Sequence, residues 1–196
     1  MENKQHHPRR VLYWGPMFSG KTTSLVKIYD IIEASGQSVL FLYPSTNTRD
    51  QYGEIRTHDG KIKKAKVFNN SEMLIALIEK HNPQNVCIDE VQFVEDIVKV
   101  CDILYKKNIN VFMAGLNMTW KSTVWPSIGK IIHTCEVEQL FAICKNCGNF
   151  KAMYNVLLEE NLKLKINERK NDVIIGDCNQ YKVLCMRCFF VEKECI

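Results

Sequence analysis

Val11-Leu12-Tyr13-Trp14-Gly15-Pro16-Met17-Phe18-Ser19-Gly20-Lys21-Thr22 joins an apolar tetrad directly to the pattern G-x-x-x-x-G-K-[ST]. The tetrad reads as a buried strand. Downstream, Leu25, Ile28, Tyr29 and Ile32 recur at i, i+3, i+4 and i+7, the period of an amphipathic helix. Strand, glycine-bracketed loop and helix form the setting in which this pattern cradles phosphate. The glycines let the backbone curl round phosphate oxygens, while successive N–H groups and the helix N-terminus supply a positive field. Lys21 is then placed to reach the β- and γ-phosphates, and Thr22 to offer its hydroxyl to Mg²⁺. The alternative, an ordinary glycine-rich turn, does not require the flanking strand and helix. The chain is therefore read as binding a nucleoside triphosphate through Gly15, Pro16, Met17, Phe18, Ser19, Gly20, Lys21 and Thr22.

The same alternation continues outward. Gly36 reads as the end of the first helix, and Val39 to Tyr43 is a continuous apolar strand stopped by Pro44. Ile55 to His58 and Lys61 to Val67 flank Asp59-Gly60, a hairpin turn signal. Ser71 is expected to cap a helix with Leu74, Leu77 and Ile78 on one face. Val86 to Ile88 is a short strand ending at Asp89-Glu90. A helix with Val94, Ile97, Val98, Cys101 and Leu104 on one side should follow, and then a strand from Ile109 to Leu116. Nearly all-apolar strands alternating with helices imply a parallel sheet covered on both faces. Ligands collect at the carboxyl edge of such sheets, where Gly15–Thr22, Ser45–Tyr52, Asp89-Glu90 and Asn117–Trp125 should converge. Beyond about residue 141 the helical period fades and paired cysteines appear, while Glu159–Asp172 is a mixed-charge run expected to be a solvated loop.

Two constellations carry chemistry besides the loop. Asp89, at the end of an apolar strand, occupies the place of a carboxylate that holds Mg²⁺ opposite Thr22, with helix capping as its alternative. Glu90 beside it could take a proton from an attacking hydroxyl or from water. Both an ATPase and a kinase can use such a pair. Cys144-Lys-Asn-Cys147 and Cys185-Met-Arg-Cys188 are two C-x-x-C knuckles separated by 37 residues. Together they can close a four-thiolate, structural Zn²⁺ site, a paired redox motif being the alternative. Trp120, Trp125, Tyr154 and Tyr181 stand in segments without a clear core period, where ordinary packing competes with stacking on a planar ligand. Lys61, Lys63, Lys64 and Lys66 read as a solvated face. Cys87 and Cys101 read as buried structural thiols, and Cys135, Cys178 and Cys195 are given no role.

The whole chain sets bounds on these readings. Its 196 residues suit one domain with a small appendage, and 46% hydrophobic with 24% charged residues is a globular balance. A net charge of +4 is too weak to argue for a nucleic-acid partner. No run reaches the roughly eighteen apolar residues of a membrane span, and Met1–Arg10 is a polar, basic tail without the apolar core of a signal peptide. A cytoplasmic protein with no membrane association is expected.

On Gly15–Thr22, Thr48-Arg49, Thr57-His58-Asp59, Ile88-Asp89-Glu90-Val91-Gln92-Phe93, Leu116 with Thr119-Trp120, Ile175-Gly176, Tyr181 and the four paired cysteines, the chain resembles the type II thymidine kinases. The resemblance runs from about Val11 to Phe189. It implies that Glu90 is the general base for a nucleoside 5′-hydroxyl, that Lys21 and Thr22 serve ATP and Mg²⁺, and that Arg49 orients phosphate. It also implies that Trp120 packs near the base, and that Val173, Ile174, Ile175 and Gly176, in a zinc-anchored lasso, close over the nucleoside beside Tyr181. Feedback inhibition by thymidine triphosphate and a homotetramer or homodimer are further implications. The chain departs from the family pattern at Trp120 (usually Phe), Asn117-Met118 (usually Asp-Gly), Asn47 (commonly Asp) and Asn155 (frequently Thr).

The expectation is thus an α/β, P-loop-type parallel sheet flanked by helices over residues 11–141. A polar tail, 1–10, precedes it, and a zinc-binding lasso domain, 142–196, follows it. The expected activity is transfer of the ATP γ-phosphoryl to thymidine, with deoxyuridine as a second substrate. The rival is a small ATPase whose zinc module grips nucleic acid or protein. Against it stand the short chain, the weak charge and the lack of a second motor-like lobe.

Overall fold

The computed structural model describes residues 7–46, 53–56, 62–158 and 180–194. Six strands make one sheet: β1 (Arg10–Gly15), β2 (Val39–Pro44), β5 (Lys66–Phe68), β6 (Asn85–Ile88), β7 (Asn110–Leu116) and β8 (Glu136–Gln139). Their order is β5-β2-β6-β7-β1-β8, and every neighbouring pair is parallel. The α/β class expected from the alternating pattern is the class observed.

Successive residues of a strand point to opposite faces, so a sheet covered on both sides must be apolar at every position. Leu12, Leu40, Leu42, Val86, Ile88, Val111 and Met113 enter one core, whereas Val11, Tyr13, Phe41, Tyr43, Cys87, Phe112 and Ala114 enter the other. Helix α1 (Lys21–Ala34) covers the second face with Leu25, Val26 and Ile32. The first face is covered by α2 (Ser71–His81), α3 (Ile97–Lys106) and α4 (Pro126–Ile131). Cys87 and Cys101 are fully buried thiols, as expected.

After β8 the chain builds a smaller layer. An isolated bridge joins Ala142 to Ala152, and β9 (Tyr154–Leu157) pairs antiparallel with β10 (Tyr181–Leu184). A last helix, α5 (Met186–Glu194), follows. Their core holds Ala142, Cys144, Ala152, Leu157, Tyr181, Val183, Leu184, Cys185 and Phe189, together with Met17 from the phosphate loop. No described helix is long and apolar enough to cross a membrane.

Several local expectations are corrected. The hairpin arms are β3 (Glu54–Arg56) and β4 (Ile62–Lys64), while the rest of the expected second arm, β5, leaves to pair with β2 in the main sheet. Lys63 is not simply solvated: its ammonium lies 2.6 Å from Asp30 and 3.4 Å from Glu33, tying the hairpin to α1. Asn70, not Ser71, caps α2, its Oδ1 accepting the Met73 N–H at 2.8 Å. On α3 the buried face is Ile97, Val100, Cys101 and Leu104. Val98 is exposed, and Val94 lies before the helix. Strand β8 is exposed throughout, and α4 and α5 are short, so none of the three carried a readable apolar period. The Asp59-Gly60 turn, Glu159–Asp172, Cys178 and Cys195 lie outside the described residues.

Candidate active site

The phosphate-loop pattern sits between the end of β1 and the start of α1, and close approach dictates its glycines. A Cβ on Gly15 would lie 2.4 Å from the Leu140 carbonyl oxygen and 2.7 Å from Ser19 Oγ. Gly20, the residue before α1, has φ +80°, a conformation natural to glycine, with nothing near its open side. Phe18 holds φ +60° without that freedom, at a cost of about 1–2 kcal/mol. Inside the curl, Ser19 Oγ donates to the Pro16 carbonyl at 2.8 Å, and the buried Lys21 ammonium donates to the same oxygen at 2.5 Å. A loop of this shape turns a lysine and a helix N-terminus toward one small volume, where phosphate charge would be offset.

Across the mouth of β7 stands the carboxylate pair. Thr22 Oγ1 donates to Asp89 Oδ2 at 2.8 Å, although 67 residues separate them. One strand, β7, intervenes between β1, which leads into the loop and helix that carry Thr22, and β6, which ends just before Asp89. Asp89 is 3% exposed. Burial, and then the neighbouring Glu90 charge, push its carboxyl up to about 7. The hydrogen bonds from the Thr22 hydroxyl and the Glu90 N–H, and the Lys21 charge, act in the opposite direction. A divalent cation at Thr22 and Asp89 would favour the ionised carboxylate, so these residues fit Mg²⁺.

Glu90 is held in the left-handed region, φ +50°, immediately before a short 3₁₀ turn, Val91–Phe93. Gln92 anchors it. The Gln92 side-chain amide donates to the Glu90 carboxylate, while its Oε1 accepts the Leu116 N–H at 3.1 Å and its backbone carbonyl accepts Ser127 Oγ at 2.7 Å. The buried Gln92 thus links the acid to the end of β7 and to α4. Sequence reasoning gave it no role of its own. The available signal was a lone amide within the apolar run Val91-Gln92-Phe93-Val94.

The four paired cysteines meet in space, their sulfurs all within 4.8 Å of one another. Cys147 and Cys185 sulfurs are 3.7 Å apart, close to the roughly 3.8 Å edge of a tetrahedron with 2.3 Å metal–sulfur bonds. Every cysteine among the described residues is free of disulfide bonds. Burial raises the Cys144 thiol, but backbone N–H groups of Cys185, Cys147 and Asn146 outweigh it and bring the thiol down to about 6. Hydrogen bonding to Cys147 and the crowd of neighbouring sulfurs push Cys188 up to about 12. Four sulfurs this close can all ionise only around a cation, and the donor set fits Zn²⁺.

The family model described as thymidine kinase matches residues 10–189. The chain belongs to the thymidine kinase family. Among thymidine kinases it is 35% identical to that of Mycoplasmoides gallisepticum over 177 residues, covering 87% of this chain and 76% of the relative. It is 30% identical to the thymidine kinase of an African swine fever virus isolate over 183 residues, covering 90% of each. It is 28% identical to the fowlpox virus thymidine kinase over 180 residues, covering 90% and 93%. As a member of the thymidine kinase family, the chain is a kinase, a phosphotransferase.

Of the thymidine kinase features expected from sequence, Trp120 is half-buried against the cysteine-held layer, with Lys121 Nζ 5.4 Å from its ring centroid. Tyr181 is buried in β10 within the same core. The other two unassigned aromatics serve packing: Tyr154 stacks on Phe189 at 4.2 Å, and Trp125 meets Phe93 edge-on at 5.5 Å. Arg49, Asn47, Val173, Ile174, Ile175 and Gly176 lie outside the described residues.

Proposed function

We propose that this kinase transfers the γ-phosphoryl of ATP to the 5′-hydroxyl of thymidine, giving thymidine monophosphate and ADP. Deoxyuridine is a second acceptor. The observation that carries the reading is the juxtaposition, in a thymidine kinase family chain, of the Gly15–Thr22 loop, the Thr22–Asp89 hydrogen bond and the separately anchored Glu90. Two carboxylates with different partners suit two tasks. Asp89, bonded to Thr22, would hold Mg²⁺, whose charge offsets that of the phosphates. Glu90, bonded instead to Gln92, accepts the proton of the nucleoside hydroxyl. As the 5′-oxygen bonds to the γ-phosphorus, its proton passes to Glu90 and the bond to the β–γ bridging oxygen breaks, releasing ADP. Lys21 and the loop N–H groups stabilise the charge on the transferring group, and Arg49 orients it.

Within this reading the domain division at residue 142 is functional. The layer held by Cys144, Cys147, Cys185 and Cys188 carries structural Zn²⁺, and Val173 to Gly176 close over the base beside Trp120 and Tyr181. The assembly is a homotetramer or homodimer, inhibited by thymidine triphosphate, in the cytoplasm. The deciding experiment measures ADP release with MgATP across a nucleoside panel. Thymidine and deoxyuridine should stimulate it strongly, and deoxycytidine should be disfavoured by about 10⁴-fold. Cytosine reverses the donor and acceptor at positions 3 and 4, leaving a base-reading site unpaired. Deoxycytidine turnover within tenfold of thymidine would overturn the assignment, as would ATP hydrolysis indifferent to nucleoside.

A further inference from the structure

Two buried amides lie where the phosphate loop, the end of β7 and the cysteine-held layer meet. Asn155 is 2% exposed and Asn117 is 1% exposed. Asn155 Oδ1 accepts the Met17 N–H of the phosphate loop at 2.9 Å. Its Nδ2 donates to the Met118 carbonyl at 2.9 Å and lies 3.5 Å from Asn117 Oδ1. Asn117 Nδ2 in turn donates to the Met153 carbonyl at 2.8 Å, and its backbone N–H donates to the Gly15 carbonyl at 3.0 Å. The side-chain bonds join residues 36 to 138 positions apart. They tie β9 to the loop after β7, and both to the phosphate loop. The Met17 side chain is also 8% exposed within the core of the cysteine-held layer.

Local secondary structure cannot account for this arrangement, because the amides bridge three separate segments. A buried amide is costly unless its groups are paired, and here the bonds that pair them all cross segment boundaries. The bond at Met17 acts next to the strained point of the loop. It fixes the Pro16–Met17 peptide, one residue before Phe18, whose φ is +60°, and so biases the direction of the N–H groups that follow.

We propose that Asn155, supported by Asn117, is a positioning residue that couples the phosphate loop to the cysteine-held layer, so that nucleotide affinity depends on the order of that layer and nucleotide binding orders it in return. The inference rests on the phosphate-loop reading given above. Coupling of this kind is reciprocal: whatever loosens β9 weakens nucleotide binding by the factor with which bound nucleotide tightens β9.

The test uses the full, metal-loaded chain and MgADP without nucleoside, so that it does not depend on the identity of the acceptor. Asn155→Ala should weaken MgADP binding about tenfold, measured by calorimetry at a temperature where thermal denaturation shows the variant folded. Asn117→Ala should weaken it less, and the double variant no more than Asn155→Ala alone, because both act through one network. Hydrogen exchange on the unaltered protein supplies a readout that needs no variant. MgADP should slow exchange of the Tyr154–Leu157 amides several-fold, although none belongs to the loop. MgADP affinity within twofold of the unaltered protein in Asn155→Ala, or exchange in β9 indifferent to MgADP, overturns the coupling while leaving the phosphate-loop reading intact. Failure of the unaltered protein to bind MgADP overturns both.

Discussion

The sheet domain and the cysteine-held layer solve the same problem with very different resources. The first buries two apolar cores, one on each face of six parallel strands, and its order is carried by many interchangeable contacts. Among its described residues the second shows a single small core, one two-stranded pairing and one short helix, and four of them are cysteines drawn to a point. A core that small seldom holds a fold together, and small modules add a metal or a covalent staple. The difference teaches where each half should fail. The proposed chemistry lies at the rim of the robust half, while the fragile half shares Met17 with the phosphate loop.

The comparison breaks hardest if metal is withdrawn. Each chain should carry one zinc ion by elemental analysis, and chelation or Cys144→Ser should abolish the order of the cysteine-held layer. Structural zinc in peptides of this type contributes roughly 10 kcal/mol or more to folding. Limited proteolysis should then cut that layer, while the parallel sheet persists by circular dichroism. A layer that stays protease-resistant without metal would show that its core suffices.

The sharpest test of the robust half is Glu90→Gln. The substitution preserves shape and removes the proposed proton acceptor. Phosphoryl transfer should fall by roughly 10²–10⁴-fold with MgATP and thymidine binding retained. Near-normal turnover in steady-state assays would remove Glu90 from the role of base.

A smaller effect is expected from Asp89, whose carboxyl is raised to about 7 in the folded chain against an ordinary value of 3.8. Between those pH values the folded state binds the proton and the unfolded state does not. Stability of magnesium-free protein should therefore decline as pH rises through that window and level off above it. Thermal denaturation from pH 4 to 8 should show the decline, and Asp89→Asn should flatten it. An equal decline in both proteins would assign the effect elsewhere.

The mildest expected change is at Gln92. Gln92→Ala frees the Glu90 carboxylate and leaves the Leu116 N–H without its partner. The expected result is about a tenfold loss in kcat, with the KM for ATP little changed, because the residue orients the base and touches no phosphate. A rise in the KM for ATP with kcat unchanged would make Gln92 part of the nucleotide site instead.

Legibility followed the range of the interactions. The Gly15–Thr22 loop, the alternating apolar strands, Asp89-Glu90 and the two cysteine pairs were readable because their signals lie within a few consecutive residues. Strand β8 was not: all four of its residues are exposed, and it becomes a strand only because β1 offers it an edge. The stretch Lys61 to Val67 reads as one hairpin arm for a similar reason, since nothing local says that Lys66–Phe68 will prefer β2.

What the sequence by itself determined is the inventory: a phosphate loop on a parallel sheet, a carboxylate pair at a strand end, and four thiols in two knuckles. Spacing, period and glycine placement are local properties, and local sterics and hydrophobic patterning act on them before the chain has closed. Only the tertiary structure decided the partnerships. It brought Thr22 to Asp89, set Gln92 behind Glu90, and clustered Cys144 and Cys147 with Cys185 and Cys188. It also inserted Asn155 between the phosphate loop and the loop after β7. Each of these contacts except Gln92 with Glu90 spans more than 30 residues. Such contacts exist because buried polar groups must find partners once the sheet, and not the local sequence, has determined what lies nearby.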